Sequence, residues 1–171
     1  MRWITQPDQF SRLLVEAKRC AGIGEAGQDD QLVRMVFDSS ELCTVAFANL
    51  LQKLMRLGQD STCYYLVLSP DPVAYFSENF KKYPLIEIQS MDSAEEYLGA
   101  LNEDPGDSPA DAIGINWSEY VVVAPSRKWF VRAIRDDWNN TGGHLFVPSQ
   151  WVDEIAEAYP AATREPSRSG C

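Results

Sequence analysis

The chain has 171 residues, 45% of them hydrophobic and 23% charged, with five Trp, seven Tyr and seven Phe. That is enough length and apolar material for one folded domain, and it excludes a disordered chain. The formal net charge of −10 sets the surface as a whole against nucleic acid and anionic membranes.

In chain order, Phe10, Leu13, Leu14 and Ala17 recur at helical spacing and predict an amphipathic helix over residues 7–20, with Pro7 near its start. The segment "CAGIGEAGQDD", 20–30, is expected to end it. Gly22, Gly24 and Gly27 spell G-x-G-x-x-G literally. The phosphate-binding form of that motif leaves a strand and opens a helix whose N-terminus holds the pyrophosphate. Here a helix comes before and a strand, "LVRMVF" (32–37), comes after, and Glu25, Asp29 and Asp30 would repel phosphate. The stretch therefore reads as a helix-to-strand connection.

Asp38 and Glu41 suggest a capping box for a helix carrying Leu42, Val45, Ala46, Asn49, Leu50, Leu54 and Leu57, ended by Gly58. "TCYYLVLS", 62–69, is apolar on both faces, as a central strand should be. Pro72 suits a short helix with Val73, Phe76 and Phe80. "PLIEIQ", 84–89, predicts a strand, and Asp92 or Ser93 a cap for a helix using Ala94, Tyr97, Leu98 and Leu101. "NEDPGDSPAD", 102–111, reads as a loop. "YVVVAP" (120–125), "WFVRAIRD" (129–136) and "HLFVP" (144–148), joined by "PSRK" and "WNNTGG", predict an antiparallel meander. Ser149 is placed as the cap of a last helix with Trp151, Ile155 and Tyr159 on one face. Residues 161–171 are expected to be a disordered tail behind a single domain spanning 1–160.

Helices and strands alternate first and strands then run together. The expected fold class is α+β: one domain with a mixed or antiparallel sheet, about five helices packed on it, and a C-terminal antiparallel meander. The longest apolar run is far short of the ~20 residues that span a bilayer, and "MRWITQPDQF" carries no signal-peptide core. Both points lead to an expected cytoplasmic location.

Ready-made chemistry is scarce. Cys20, Cys43, Cys63 and Cys171 are scattered, with no CxxC pair and one His in the chain. Cys43 and Cys63 read as buried free thiols and Cys171 as an exposed one. No cofactor and no metal is called for. Asp104, Asp107 and Asp111 lack the spacing of a calcium loop. His144 follows a Gly-rich turn with Asp136 and Asp137 near in sequence. As catalyst it needs a carboxylate or nucleophile within hydrogen-bond reach; as a plain strand residue it needs nothing.

The distribution of charge is more informative. Between Lys82 and Arg127 lie 44 residues without Lys or Arg but with nine acids: Glu87, Asp92, Glu95, Glu96, Glu103, Asp104, Asp107, Asp111 and Glu119. The remaining 16 acids face 15 basic residues. Either this stretch is a solvated face, or it steers a basic partner that buried-on-binding aromatics then hold. On the second reading the partner-binding residues are Asp92, Glu95, Glu96, Glu103, Asp104, Asp107 and Asp111, with Trp117 and Tyr120 as anchors. Arg127, Lys128, Arg132 and Arg135 sit on both parities of the meander and need not form one patch.

Three functions follow. The favoured one is a non-enzymatic acidic binding protein that occludes a basic protein partner, as a bacterial immunity protein does its cognate toxin, with no nucleic acid and no membrane involved. The second is a small enzyme with a fold-assembled site of His144, Asp136, Asp137 and Cys63. The third is a subunit of a homo-oligomer or larger assembly.

Overall fold

A computed structural model describes residues 2–26, 32–106, 111–135 and 141–164. The described residues form an eight-stranded, wholly antiparallel sheet sandwiched between helices, an α+β domain. The strands are β1 (Arg2–Trp3), β2 (Leu32–Asp38), β3 (Thr62–Ser69), β4 (Leu85–Gln89), β5 (Glu119–Val123), β6 (Phe130–Arg135), β7 (Thr141–Pro148) and β8 (Thr163–Arg164), in the order β1-β4-β3-β5-β6-β7-β2-β8. The helices are α1 (Pro7–Ala26), α2 (Val45–Gly58), α3 (Glu78–Phe80), α4 (Ala94–Asn102) and α5 (Val152–Ala158).

The alternation of side chains along a strand divides the core in two. Tyr65, Tyr120, Val122, Val131, Leu145 and Val147 face α2, α4 and α5. Leu66, Val121, Val123, Phe130 and Phe146 face α1, which covers them with Phe10, Ala17, Cys20 and Ala21. With both faces covered, β3 is apolar from Cys63 to Leu68 and β5 from Tyr120 to Val123, and the meander β5–β6–β7 has the pairing expected.

Local chemistry shifts several boundaries. The first helix does not stop at 20; it runs to Ala26 through Gly22 and Gly24, because Cys20 and Ala21 still have sheet to cover. Asp38 caps only a 3₁₀ turn, Ser39–Cys43, by accepting from the Ser40 N–H at 2.9 Å. Thr44 caps α2, and with that later start the buried face becomes Phe47, Ala48, Leu50, Leu51, Leu54 and Met55, while Val45 is 52% exposed. Gly58 is the last residue of α2 and lies under the Trp129 indole; Gln59 supplies the left-handed cap at φ 59°. Pro72–Ser77 makes a π-helical turn capped by Asp71, whose carboxylate accepts from the Val73 and Ala74 N–H groups.

Ser149 caps nothing. It starts a 3₁₀ turn, Ser149–Trp151, that leads into α5. Residues 161–164 are not a tail: Ala162 is buried, and Thr163 and Arg164 pair with Val36 and Met35 of β2. Residues 165–171, with Cys171, lie outside the described residues. No helix among the described residues is long and apolar enough to cross a membrane.

Candidate functional site

The nine acids of the 83–126 stretch do not share a surface. Glu87 and Glu119 lie on the α1 side of the sheet, following the parity of Leu85 and Val121. There Glu87, nearly buried, takes the Arg2 guanidinium at 3.0 Å, and Glu119 takes Arg132, itself buried, at 2.8 Å. Asp92 closes a turn by accepting from the Gln89 N–H at 2.7 Å. Asp104 accepts from the Gly106 N–H at 2.7 Å, and Asp111 from the Tyr75 hydroxyl at 3.2 Å. Asp107 lies outside the described residues.

Ser93 and Glu96 close a full capping box on α4: Ser93 Oγ accepts from the Glu96 N–H at 3.1 Å, and Glu96 Oε2 from the Ser93 N–H at 2.7 Å. The Ser93 backbone N–H first, and the Ser93 hydroxyl after it, favour the charged Glu96 carboxylate and hold its pKa below the usual glutamate value. Glu103, just past the end of α4, lies 3.5 Å from Lys82. Glu95 is exposed.

The aromatic anchors are corrected. Trp117 is 4% exposed and Tyr120 0%, so neither can meet a partner. Trp117 packs edge-on against Tyr120 at 4.8 Å, gives its indole N–H to the Gly114 carbonyl, and carries the Arg135 guanidinium 4.6 Å above its ring. Burying two large rings there is worth more to the core than a local position beside acids suggests.

A different acidic surface appears once the helices are placed. α2 packs between α4 and α5, with the Phe47 ring 6.4 Å from Tyr97 on one side and 6.5 Å from Tyr159 on the other. α4 brings Glu95 and Glu96, and α5 brings Asp153, Glu154 and Glu157; neither helix contains Lys or Arg. Glu103 extends the α4 side, and all six acids are exposed. On α2, Lys53 pairs with Glu154 and Arg56 is exposed. α1, on the opposite face of the sheet, is balanced, with three acids and three bases. Two large apolar side chains stand open on this layer: Met91, 91% exposed in the turn leading to α4, and Val45, 52% exposed at the start of α2. The main-chain carbonyl of Asp92 accepts from Gln52 of α2, which fixes the Met91 turn on this layer.

Sequence reasoning missed Asp153, Glu154 and Glu157. Their spacing opposite Val152 and Ile155 marks a solvent face, but only the fold brings that face beside α2.

The catalytic grouping around His144 does not assemble as expected. His144 shares the parity of Phe146 on the α1 side, across from Arg132 in register, whereas Cys63 is fully buried against the other helices. A whole sheet separates the two. Burial pushes the Cys63 thiol pKa far up and that of Cys20 to about 11, so neither is a ready thiolate. Cys43, expected to be buried, is exposed, with its sulfur 3.4 Å from the Gly114 carbonyl. Asp136 and Asp137 lie outside the described residues. The four basic residues of the meander also separate: Arg127 reaches Glu16, Lys128 the Gly58 carbonyl, Arg132 Glu119, and Arg135 the carbonyls of Ile115 and Trp117.

No family model matches the chain, and neither does any curated protein or solved structure.

Proposed function

We propose that the chain is a non-catalytic binding protein that receives a basic protein partner on the outer face of α4, α2 and α5, in the manner of an immunity protein covering a toxin. One observation carries this reading: two helices distant in sequence place five acids and no base on one layer, with Met91 nearly fully exposed in the turn leading to α4. Like charges gathered this way repel one another, so their gathering supports an external counter-charge. The acids steer the approach and set its salt dependence, while an apolar contact at Met91 slows departure. Methionine suits that role because its unbranched, polarizable side chain adapts to an irregular surface. The partner's cationic site is covered and so inhibited.

The test uses the full chain on a support, a lysate of its source at low salt, and elution by rising salt. The expected result is one basic protein leaving at moderate salt, and its loss when Glu95→Lys and Glu157→Lys are combined. Neither carboxylate caps a helix, so the fold is expected to tolerate both changes. Met91→Ala should speed dissociation without changing the salt dependence. Retention of the partner by the double variant would overturn the surface, and absence of any specific partner would overturn the function.

A further inference from the structure

The opposite face of the sheet carries a separate feature. Between α1 and the β5–β6 turn lies a cleft of about 350 Å³. Its apolar lining includes Leu13, Val123 and the half-buried Tyr64. Arg12, Glu16 and Arg127 stand around it. Glu16 is already satisfied: one carboxylate oxygen takes Arg19 at 2.6 Å and the other Arg127 at 3.2 Å. Arg12 is exposed, and its Nε–H makes a long hydrogen bond of 3.4 Å to the backbone carbonyl of Asp8. Two guanidinium groups, Arg12 and Arg127, and one carboxylate, Glu16, thus line the cleft, leaving it net positive on a molecule that is strongly negative.

The backbone supplies a second observation. The turn closes with the Arg127 N–H on the Ala124 carbonyl at 3.0 Å, and Arg127 sits at φ 57°. In that left-handed region glycine is at ease and a long side chain is not. Gln59 and Lys81 share that conformation as the caps that end helices, whereas Arg127 ends none and its side chain borders the cleft. Arg127 is 67% exposed, so its pairing with Glu16 repays little of the cost.

We propose that this cleft binds a small organic anion: a carboxylate attached to a flat apolar body. The body lies on Leu13, Val123 and the Tyr64 ring, and the carboxylate meets Arg12 and Arg127, whose planar forks match its two oxygens. The size agrees, since a cavity of about 150 Å³ accepts a benzene ring and this cleft has room for a ring plus a short acid chain. The site lies across the sheet from the acidic helical layer, so its test is independent of the proposed protein partner.

The test is a titration of the full ¹⁵N-labelled chain with 3-phenylpropionate, followed by NMR and calorimetry, with 3-phenylpropan-1-ol and acetate as probes lacking the charge or the ring. Saturable shifts are expected in α1 and the β5–β6 turn, with both control probes at least tenfold weaker. Arg12→Gln and Arg127→Gly should each weaken 3-phenylpropionate at least tenfold, while Arg127→Gly leaves the urea midpoint unchanged or raised. The proposal is overturned if 3-phenylpropionate gives no saturable shifts, if the alcohol binds as well, or if both variants bind as the parent does.

Discussion

Asp60 shows how one carboxylate outside any helix or strand can hold several elements together. It follows α2 and accepts from the Ser126 N–H at 2.9 Å, the Ser126 hydroxyl at 2.7 Å and the Trp129 indole N–H at 3.1 Å. Trp129 is 1% exposed, so its N–H has no water to turn to when the carboxylate is removed. Asp60→Ala should therefore cost about 3 kcal/mol, the range for charged hydrogen bonds whose buried partner is orphaned, read as a lower urea midpoint with an unchanged slope. Asp60→Asn should cost less, because its amide oxygen can still accept from one of the donors. Nothing local in the sequence announces this role, because Asp60 acts 66 and 69 residues away. Glycine is similarly opaque. Gly143 looks like a hairpin glycine beside Asn139 and Asn140, yet it sits in β7 opposite Phe37, where an added Cβ would fall 2.6 Å from the ring.

Elements were legible where their signals are short-range. The cap of α4, which the sequence narrows to Asp92 or Ser93 and the structure gives to Ser93, the two-sided strand β3 and the meander all follow from neighbours within a few residues. Ends set by tertiary burial were not. α1 overruns its glycines because the sheet beneath continues, and the phase of α2 moves because Thr44 rather than Asp38 begins it. The Ser93 cap offers a test at this scale. Ser93→Ala should destabilise the domain by about 1 kcal/mol, visible in thermal or urea unfolding. Its partner gives the pH dependence. The Glu96 pKa is lowered from 4.5 in the folded chain, so the folded state binds its proton less readily than the unfolded one. The resulting stabilisation is complete well above pH 4.5 and fades as pH falls through the lowered value. Glu96→Gln should flatten the loss of stability in that acid window, while stability near neutral pH falls only slightly.

Across the whole molecule, the acidic excess in the sequence and the acidic face of the fold coincide only in part. Glu87 and Glu119 leave the stretch for the far side of the sheet, and Asp153, Glu154 and Glu157 join from the other end of the chain. Linear charge density could register an excess but not a face, since strand parity and helix packing decide the side on which each residue emerges. The sheet has a further property at its margins. Each border is finished by a strand of two residues, Arg2–Trp3 along β4 and Thr163–Arg164 along β2, and each brings an arginine. Short, charged borders are how sheet proteins discourage strand-by-strand polymerisation. β2 has seven residues, and β8 pairs with only two of them. A chain stopped at residue 162 should bare that border and form concentration-dependent multimers by light scattering, whereas the full chain keeps one size. Loss of that single size would show that two-residue strands, as well as net charge, keep copies of the sheet apart. A tag joined directly to Arg2 or to Arg164 would bear on the stopper itself, so a spacer there is the safer way to label or tether the molecule.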